Sequence, residues 1–310
     1  MRIVFMGTPE FAIPSLDMLV KEGYDVVAVV TQPDKPKGRG NKMCPPPVKE
    51  YAIEHGIEVL QPDKVKTEEF AEKIKEINPD LLVTAAYGKI LPKSVLDIPK
   101  FGCINVHGSL LPKYRGAAPI QWSIINGEKV TGITTMYTDV GMDTGDMLVK
   151  AEIEITEDMT AGELHDKLSV LGADVLKETL LKLKAGTLER IPQSDSEATY
   201  APMMTKEIGC IDWTKSSREI HNLVRGTNPW PGAYTSYDGK KMKVWMTSVI
   251  SEDENNSKAG TILKVGKDGI VVACGLGKLN IKEIQFDNSR RMTVEEYICG
   301  HKIGEGEILG

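Results

Sequence analysis

The chain contains few of the residues that build disulfide-rich or metal-centred proteins. It has 310 residues, with five cysteines and five histidines. The cysteines are odd in number and widely spaced, and no two of them form a C-x-x-C pair. This pattern argues against both a disulfide framework and a zinc site, so we expect reduced thiols and no metal. The cysteines are Cys44, Cys103, Cys210, Cys274 and Cys299.

The sequence also lacks a long hydrophobic run and an overall positive charge. No stretch is apolar enough to cross a membrane, and the first residues enter a strand-like segment without a signal peptide. We therefore expect a cytoplasmic protein with no membrane partner. The net charge of -6 means that any binding of nucleic acid would depend on a local basic patch.

The first 188 residues alternate strand-like and helix-like segments, which predicts an α/β domain. Apolar strands such as Ile3 to Met6 and Leu81 to Ala86 are separated by amphipathic stretches such as Thr67 to Ile77. Alternation of this kind is typical of a mostly parallel sheet with helices on its faces. The dinucleotide fingerprint G-x-G-x-x-G is absent after the first strand, where Gly7 to Glu10 includes a proline. We expect a Rossmann-like domain at 1–188 that does not bind a nicotinamide cofactor.

The character of the sequence changes after residue 188. Residues 189–209 lack periodicity and contain prolines and hydroxyl residues, which predicts a linker. Residues 210–310 contain short strand-like runs with Asp238-Gly239 and Asp268-Gly269 as turns. Short strands joined by such turns predict a small OB-like β-barrel. Barrels of this kind often bind nucleic acids or oligosaccharides, although fold alone does not establish it.

The most informative segment runs from Asn105 to Pro112. Asn105 lies near the end of a short apolar strand, and Gly108 breaks regular structure directly after His107. His107 would then lie at the carboxyl edge of the sheet, where open α/β folds bind ligands. Together with Asp143, further along the chain, these residues supply an amide, an imidazole and a carboxylate, which suit acyl transfer to an amine. The alternative is that each residue only makes a turn or is a satisfied structural residue.

A basic connection extends from Gln32 to Pro47. It carries the cations Lys35, Lys37, Arg39 and Lys42, opposed only by Asp34. A structureless connection of this length within a domain is usually functional or disordered. The cations would contact phosphates, or else the loop is simply solvated.

The chain resembles the methionyl-tRNA formyltransferase family over essentially its full length. The catalytic set Asn105-x-His107 with Asp143 is also similar to that of the wider folate-dependent formyltransferases. The segment around Arg39 and the Trp230 segment with its barrel domain are what point to a charged tRNA. The matching segments are Met6 to Ala12, Gln32 to Asp34, Gly38 to Gly40, Asn105 to Pro112, Arg115 to Ile120, Gly141 to Met147 and Asn228 to Thr235.

The resemblance implies a reaction and a set of site residues. The α-amine of methionyl initiator tRNA would attack the formyl carbon of 10-formyltetrahydrofolate, without a metal. Asn105 and His107 would stabilise the oxyanion, and Asp143 would organise His107 and help to remove the amine proton. The resemblance further implies a folate site lined by Ser109, Leu110, Leu111 and Pro112. Arg39 and Lys42 would contact tRNA, the barrel would hold its outer stem, and we expect the protein to be a monomer.

Other functions share part of this pattern. A formyltransferase acting on an amino sugar or on glycinamide ribonucleotide would use the same three residues but would need neither the Arg39 loop nor this barrel. A formyltetrahydrofolate hydrolase would replace the amine with water, and an RNA-binding protein on a degenerate scaffold would need no intact triad. The chain departs from the family where Asn41-Lys42 stands in place of two lysines. The missing cation bears on affinity rather than on the reaction.

Replacing Arg39 tests the tRNA role of the basic loop. We expect Arg39→Ala to raise the KM for charged tRNA and to reduce the slope of log affinity against log salt by about one, because one phosphate contact is lost. The KM for the folate substrate should stay unchanged in steady-state assays. An equal loss of folate affinity would show that the loop has another role.

Overall fold

The computed structural model describes residues 1–37, 42–254 and 256–310, and the chain divides into two units. The first unit comprises Met1–Pro119, Val130–Ile153 and His165–Pro202. The second comprises Ile120–Lys129, Glu154–Leu164 and Met203–Gly310. Two short segments that precede residue 165 thus belong to the second unit. The domain boundaries at residues 188 and 209 stay a prediction.

Strands and helices alternate through the first 201 residues. The strands are β1 (Arg2–Gly7), β2 (Asp25–Val30), β3 (Lys35–Lys37), β4 (Lys42–Cys44), β5 (Val59–Leu60), β6 (Leu81–Ala85), β7 (Cys103–His107), β8 (Arg115–Gly116), β9 (Val130–Tyr137), β10 (Met147–Glu154) and β11 (Tyr200–Ala201). The helices are α1 (Ile13–Lys21), α2 (Pro47–Glu54), α3 (Glu68–Ile77), α4 (Lys93–Leu96), α5 (Pro119–Ile125) and α6 (Ala161–Ala185).

A seven-stranded sheet in the order β10-β9-β7-β6-β1-β2-β5 forms the centre of the first unit. The neighbours from β7 through β6, β1 and β2 to β5 pair in parallel, whereas β9 runs antiparallel to β7. The mostly parallel sheet predicted from the sequence is confirmed. Because β1, β6 and β7 are parallel, their last residues Gly7, Ala85 and His107 lie at one edge of the sheet.

Helix α3 shows how local sequence produces an element of this fold. The hydroxyl of Thr67 accepts a hydrogen bond from the Phe70 amide at 3.3 Å, which caps the first turn. Phe70, Ile74 and Ile77 recur at helical spacing and are buried. The helix ends at Asn78, whose φ of 53° is a left-handed cap. The predicted helix with Thr67 as its N-cap is confirmed.

The basic connection between Gln32 and Pro47 contains regular structure, contrary to the expectation of a structureless loop. Strands β3 and β4 pair antiparallel, with Lys37 opposite Lys42. The ion pair between Lys49 and Asp34, at 2.8 Å, holds the start of this segment. Antiparallel pairing brings the two described ends of the connection together.

Within the second unit, residues 203–254 and 256–310 contain an antiparallel sheet and two α-helices. Its six strands lie in the order β12-β13-β16-β15-β14, with β17 paired to β16. The two residues Asp238 and Gly239, both with positive φ, join β12 to β13 as the sequence predicted. The elements are α7 (Ser217–Gly226), β12 (Ala233–Tyr237), β13 (Lys240–Ser251), β14 (Ile262–Gly266), β15 (Gly269–Ala273), β16 (Lys278–Phe286), β17 (Met292–Thr293) and α8 (Val294–Ile298).

Helix α7 buries a histidine in the second unit. His221 is 3% exposed, its Nδ1 lies 3.0 Å from the Thr247 hydroxyl, and its Nε2 lies 3.2 Å from the Glu157 carbonyl. Burial, with a further contribution from the Arg225 charge, lowers the pKa of His221 from 6.5 to about 4. The nearby Asp158 carboxylate opposes this shift in pKa.

We expect the second unit to lose stability as the pH falls from about 6.5 to about 4. In this interval the unfolded histidine gains a proton and the folded one does not, so protonation favours the unfolded state by up to about 3 kcal/mol. His221→Gln should flatten this part of the curve of unfolding free energy against pH, measured by urea denaturation. The exposed His301→Gln is the matched control, and equal flattening in both variants would contradict the assignment.

Candidate active site

Asn105 and His107 lie at the end of β7 and, two residues apart on a strand, face the same side of the sheet. Thr84 on β6 stands opposite Asn105 in the parallel register. The Thr84 hydroxyl donates a hydrogen bond of 2.8 Å to the Asn105 side-chain oxygen. This bond sets the orientation of the amide, so that its Nδ2 is the atom offered to a ligand oxygen.

The surroundings of His107 determine which ring nitrogen carries a proton. The side chain is 6% exposed, and Nε2 lies 2.9 Å from the carbonyl oxygen of Tyr114. A carbonyl can only accept, so Nε2 is the donor in this contact. The other nitrogen, Nδ1, lies 3.7 Å from Oδ2 of Asp143. In the imidazolium form both nitrogens donate, and each then faces an acceptor.

Asp143 reaches the histidine from the connection between β9 and β10. Its backbone is left-handed, with φ of 52°, and its Oδ2 accepts a 2.8 Å hydrogen bond from the Gly116 amide. Its carbonyl oxygen accepts a 2.7 Å hydrogen bond from Nε2 of Gln193. A side chain at Gly145 would collide with the Tyr137 carbonyl, so this turn requires glycine. The structure thus brings Asp143 to His107, while their chemical roles stay predictions.

The segment predicted to line a folate site is held by its own backbone. The Thr134 hydroxyl donates to the Ser109 carbonyl at 2.8 Å and accepts from the Leu111 amide at 3.1 Å. Ser109 and Leu111 are 0% and 1% exposed, and Leu111 packs against Met136. Leu110 is only partly buried, and the Leu111–Pro112 peptide is cis. Any ligand here would therefore meet main-chain groups and Leu110 rather than the Ser109 or Leu111 side chains.

Lys150 supports the same segment from β10. Its ammonium donates to the Leu111 carbonyl at 2.5 Å. Partial burial lowers the pKa of Lys150, and the Glu197 carboxylate opposes this effect.

The two residues predicted to contact tRNA have different outcomes. Arg39 lies outside the described residues. Lys42 is exposed at the start of β4, where it pairs with Lys37. Its contact with tRNA stays a prediction.

The loop after β6 was not singled out in the sequence and lies at the same sheet edge. Ala86 and Gly88 have φ of 46° and 78°, which turn the chain sharply after the strand. The Tyr87 carbonyl accepts a 3.0 Å hydrogen bond from the Gln32 side chain. Ile90 in this loop is 51% exposed and gives the edge an apolar group. The feature that distinguishes this loop is the positive φ of Ala86 and Gly88 directly after a strand, which the structure reveals and the sequence does not.

Sequence reasoning also missed the residues that support Asp143. Arg115 is 1% exposed and donates to the side chains of Gln193 and Asp195 at 3.0 and 2.9 Å. Gly116 has φ of 120°, and a Cβ there would lie 2.7 Å from the Ala201 carbonyl. The local sequence signal for this support is that Gly116 directly follows Arg115.

Two features are absent from the described part of the chain. Among residues 1–37, 42–254 and 256–310, no group of three or more histidine, cysteine, aspartate or glutamate side chains is placed to hold a metal ion. In the same ranges, every helix is too short or too polar to cross a membrane.

Two family models match the chain. The formyl transferase model covers residues 1–180, and the formyl transferase C-terminal domain model covers residues 203–302. These ranges include all three residues at the end of β7 and in the β9–β10 connection.

Curated relatives match the whole chain. The methionyl-tRNA formyltransferase of Acetivibrio thermocellus is 75% identical, and the alignment covers 100% of both chains. The methionyl-tRNA formyltransferase of Ruminiclostridium cellulolyticum is 65% identical, again over 100% of both chains. A solved N-formyltransferase from Helicobacter canadensis, in complex with folinic acid and dTDP-3-aminofucose, is 21% identical with a TM-score of 0.68. That alignment covers 90% of this chain and 98% of the other, and it shows a common fold.

We expect Gly116→Ala to destabilise the first unit more than Gly186→Ala does. Both glycines have positive φ, but a Cβ at Gly186 meets nothing within 4 Å, whereas one at Gly116 meets the Ala201 carbonyl. Backbone strain alone should cost about 1 kcal/mol at Gly186, and strain with the contact about 3 kcal/mol at Gly116. Urea denaturation of both variants measures the difference, and equal losses would show that the Ala201 contact relaxes freely.

Proposed function

Because this chain belongs to the formyl transferase family, we propose that it transfers the formyl group of 10-formyltetrahydrofolate to the α-amine of methionyl initiator tRNA, for translation initiation. Relatives that match its full length at 54–75% identity bear the name of that enzyme. The observation that carries the proposal is the meeting of Asn105, His107 and Asp143 at one sheet edge. An amine nucleophile needs no activated serine or cysteine, and this site offers neither.

In this proposal, the Asn105 side chain stabilises the oxyanion. Attack of the amine on the formyl carbon forms the new C–N bond and places negative charge on the formyl oxygen. The Asn105 Nδ2 donates to that oxygen, because Thr84 already occupies its side-chain oxygen at 2.8 Å. The donor is fixed before the reaction begins, which avoids reorganisation as charge develops.

His107 and Asp143 handle the protons. The Tyr114 carbonyl holds Nε2, so Nδ1 is the nitrogen that faces both Asp143 and the reacting groups. Imidazolium at His107 adds positive charge beside the oxyanion, and the Asp143 carboxylate accepts the proton that the amine loses. Collapse of the oxyanion then breaks the bond to the folate nitrogen, which takes up the proton that Asp143 received from the amine, so the carboxylate is regenerated.

The folate substrate fits the backbone groups at this edge. The main chain of Ser109 to Pro112, the partly buried Leu110 and the exposed Ile90 supply polar and apolar contacts of the kind that a pterin ring requires. No metal is needed, since the formyl carbon is already an acyl group activated by its folate nitrogen.

We also propose that the antiparallel sheet of the second unit is an OB-like barrel that holds the outer stem of the tRNA, and that Arg39 and Lys42 place its acceptor end. Cations and aromatic rings interleave on this sheet, which supports binding of nucleic acid. The Lys241 ammonium lies 3.6 Å from the Tyr234 ring centroid. Lys243 and Arg291 lie 5.0 and 5.3 Å from the ring of Trp245.

A cytoplasmic monomer is the simplest state for this enzyme. No two of the described cysteines are joined in a disulfide, and burial raises the pKa of Cys103 to about 11 and of Cys274 to about 12. Protonated thiols outside disulfides suit a reducing compartment. Asn105, His107 and Asp143 come from a single chain and a single unit, so catalysis requires no second copy.

The experiment is a transfer assay with three acceptors. Purified protein and 10-formyltetrahydrofolate are mixed with methionine-charged initiator tRNA, charged elongator tRNA or uncharged tRNA, and the ester is then hydrolysed to detect N-formylmethionine. Formylation confined to the charged initiator supports the proposal. Folate turnover without formylated tRNA would instead indicate a hydrolase or another amine acceptor, such as an amino sugar.

Asn105→Ala and His107→Ala should each lower kcat by about two to three orders of magnitude, because each removes an oxyanion donor or a proton carrier. The KM for folate should change little, as measured in the same assay. His55→Ala replaces an exposed histidine directly after α2, and this control should retain full activity. Near wild-type turnover in either site variant would refute these roles.

A further inference from the structure

We propose that Gln193 is a positioning residue that holds Asp143 in its working place. The inference rests on the proposed function, since it concerns the carboxylate of the proposed transfer. Gln193 lies within the segment 189–209, which the sequence predicts as a linker. Its side chain instead reaches the β9–β10 connection, 50 residues away along the chain.

The Gln193 side-chain amide forms two hydrogen bonds with the turn that contains Asp143. Its Nε2 donates to the Asp143 carbonyl and to the Gly145 carbonyl, each at 2.7 Å. Both amide protons are therefore committed to this one turn. The turn needs such a restraint because Asp143 is left-handed, with φ of 52°, a conformation that costs an aspartate about 1 kcal/mol.

Arg115 binds the oxygen atom of the Gln193 side-chain amide. Its Nε donates to the Gln193 Oε1 at 3.0 Å, and its Nη1 pairs with Asp195 at 2.9 Å. The arginine is 1% exposed and its backbone amide donates to the Thr199 carbonyl at 2.8 Å, so its own position is set by the fold. The hydrogen bond from the buried Arg115 therefore keeps the Gln193 amide in contact with the turn.

The strand β8, which contains Arg115, also forms a hydrogen bond with the Asp143 carboxylate. Gly116 follows Arg115, and its amide donates to Asp143 Oδ2 at 2.8 Å. Gln193 therefore restrains the Asp143 backbone, while Gly116 restrains its side chain. Together they set the 3.7 Å separation between Asp143 and His107. A displacement of about 1 Å in such a group costs up to about a hundredfold in rate.

Gln193→Glu separates the two functions of this side chain. A glutamate keeps the acceptor for Arg115 and so preserves the buried cation's partner, but it removes both donors to the turn. We expect kcat for formylation of charged initiator tRNA to fall about 10- to 100-fold, while the KM values for folate and tRNA change less than threefold. Arg190→Gln is the matched control, because Arg190 pairs with Asp146 at the end of the same turn through an exposed contact. It should keep kcat within twofold of wild type.

A double-mutant cycle distinguishes positioning from general support. If Gln193 acts through the Asp143 carboxylate, Gln193→Glu should cause no further loss of kcat in an Asp143→Ala background. Additive losses, or an equal loss in Arg190→Gln, would overturn the proposal. So would wild-type kcat in Gln193→Glu while the wild-type enzyme formylates the charged initiator, an outcome that leaves the proposed function intact. An inactive wild-type enzyme would instead refute the function itself.

Gln193→Met replaces the glutamate variant in the cycle should the latter fail to fold, as judged by its melting temperature.

Discussion

The placement of one carboxylate, Asp143, is the constraint on which the rest of the site depends. Its turn contains two glycines and a left-handed aspartate, and a turn of this kind has little intrinsic preference for one geometry. Hydrogen bonds from Gly116 and Gln193 supply the missing restraint. The groups that carry these bonds come from parts of the chain that are far apart in sequence. The site therefore forms only when the first unit is folded.

Parallel strands explain why the other groups meet at the same place. Strands β1, β6 and β7 end at one edge, so Thr84 can orient Asn105 across the register, and the loop after β6 lies beside both. Open α/β folds bind their ligands at that edge of the sheet.

A net charge of -6 does not exclude a polyanionic substrate, because some cations of this chain are grouped in local patches. One group lies on β3 and β4, and another lies on the sheet of the second unit beside aromatic rings. Attraction between such patches and phosphates is screened by salt, so binding through them remains reversible at cellular ionic strength.

The amino-acid sequence by itself predicted the alternation of strands and helices that is typical of a mostly parallel sheet, helix α3 with its Thr67 cap, and the Asp238-Gly239 turn, because these patterns are carried by residues close together in the chain. It also predicted Asn105, His107 and Asp143 as candidate site residues, since glycines and prolines mark the strand ends where they lie. Only the tertiary structure decided that the connection at 32–47 contains a hairpin, and that Gln193 and Arg115 hold the aspartate turn. Hydrogen bonds between residues 50 and 78 positions apart leave no periodicity and no local composition to detect, so folding alone reveals them.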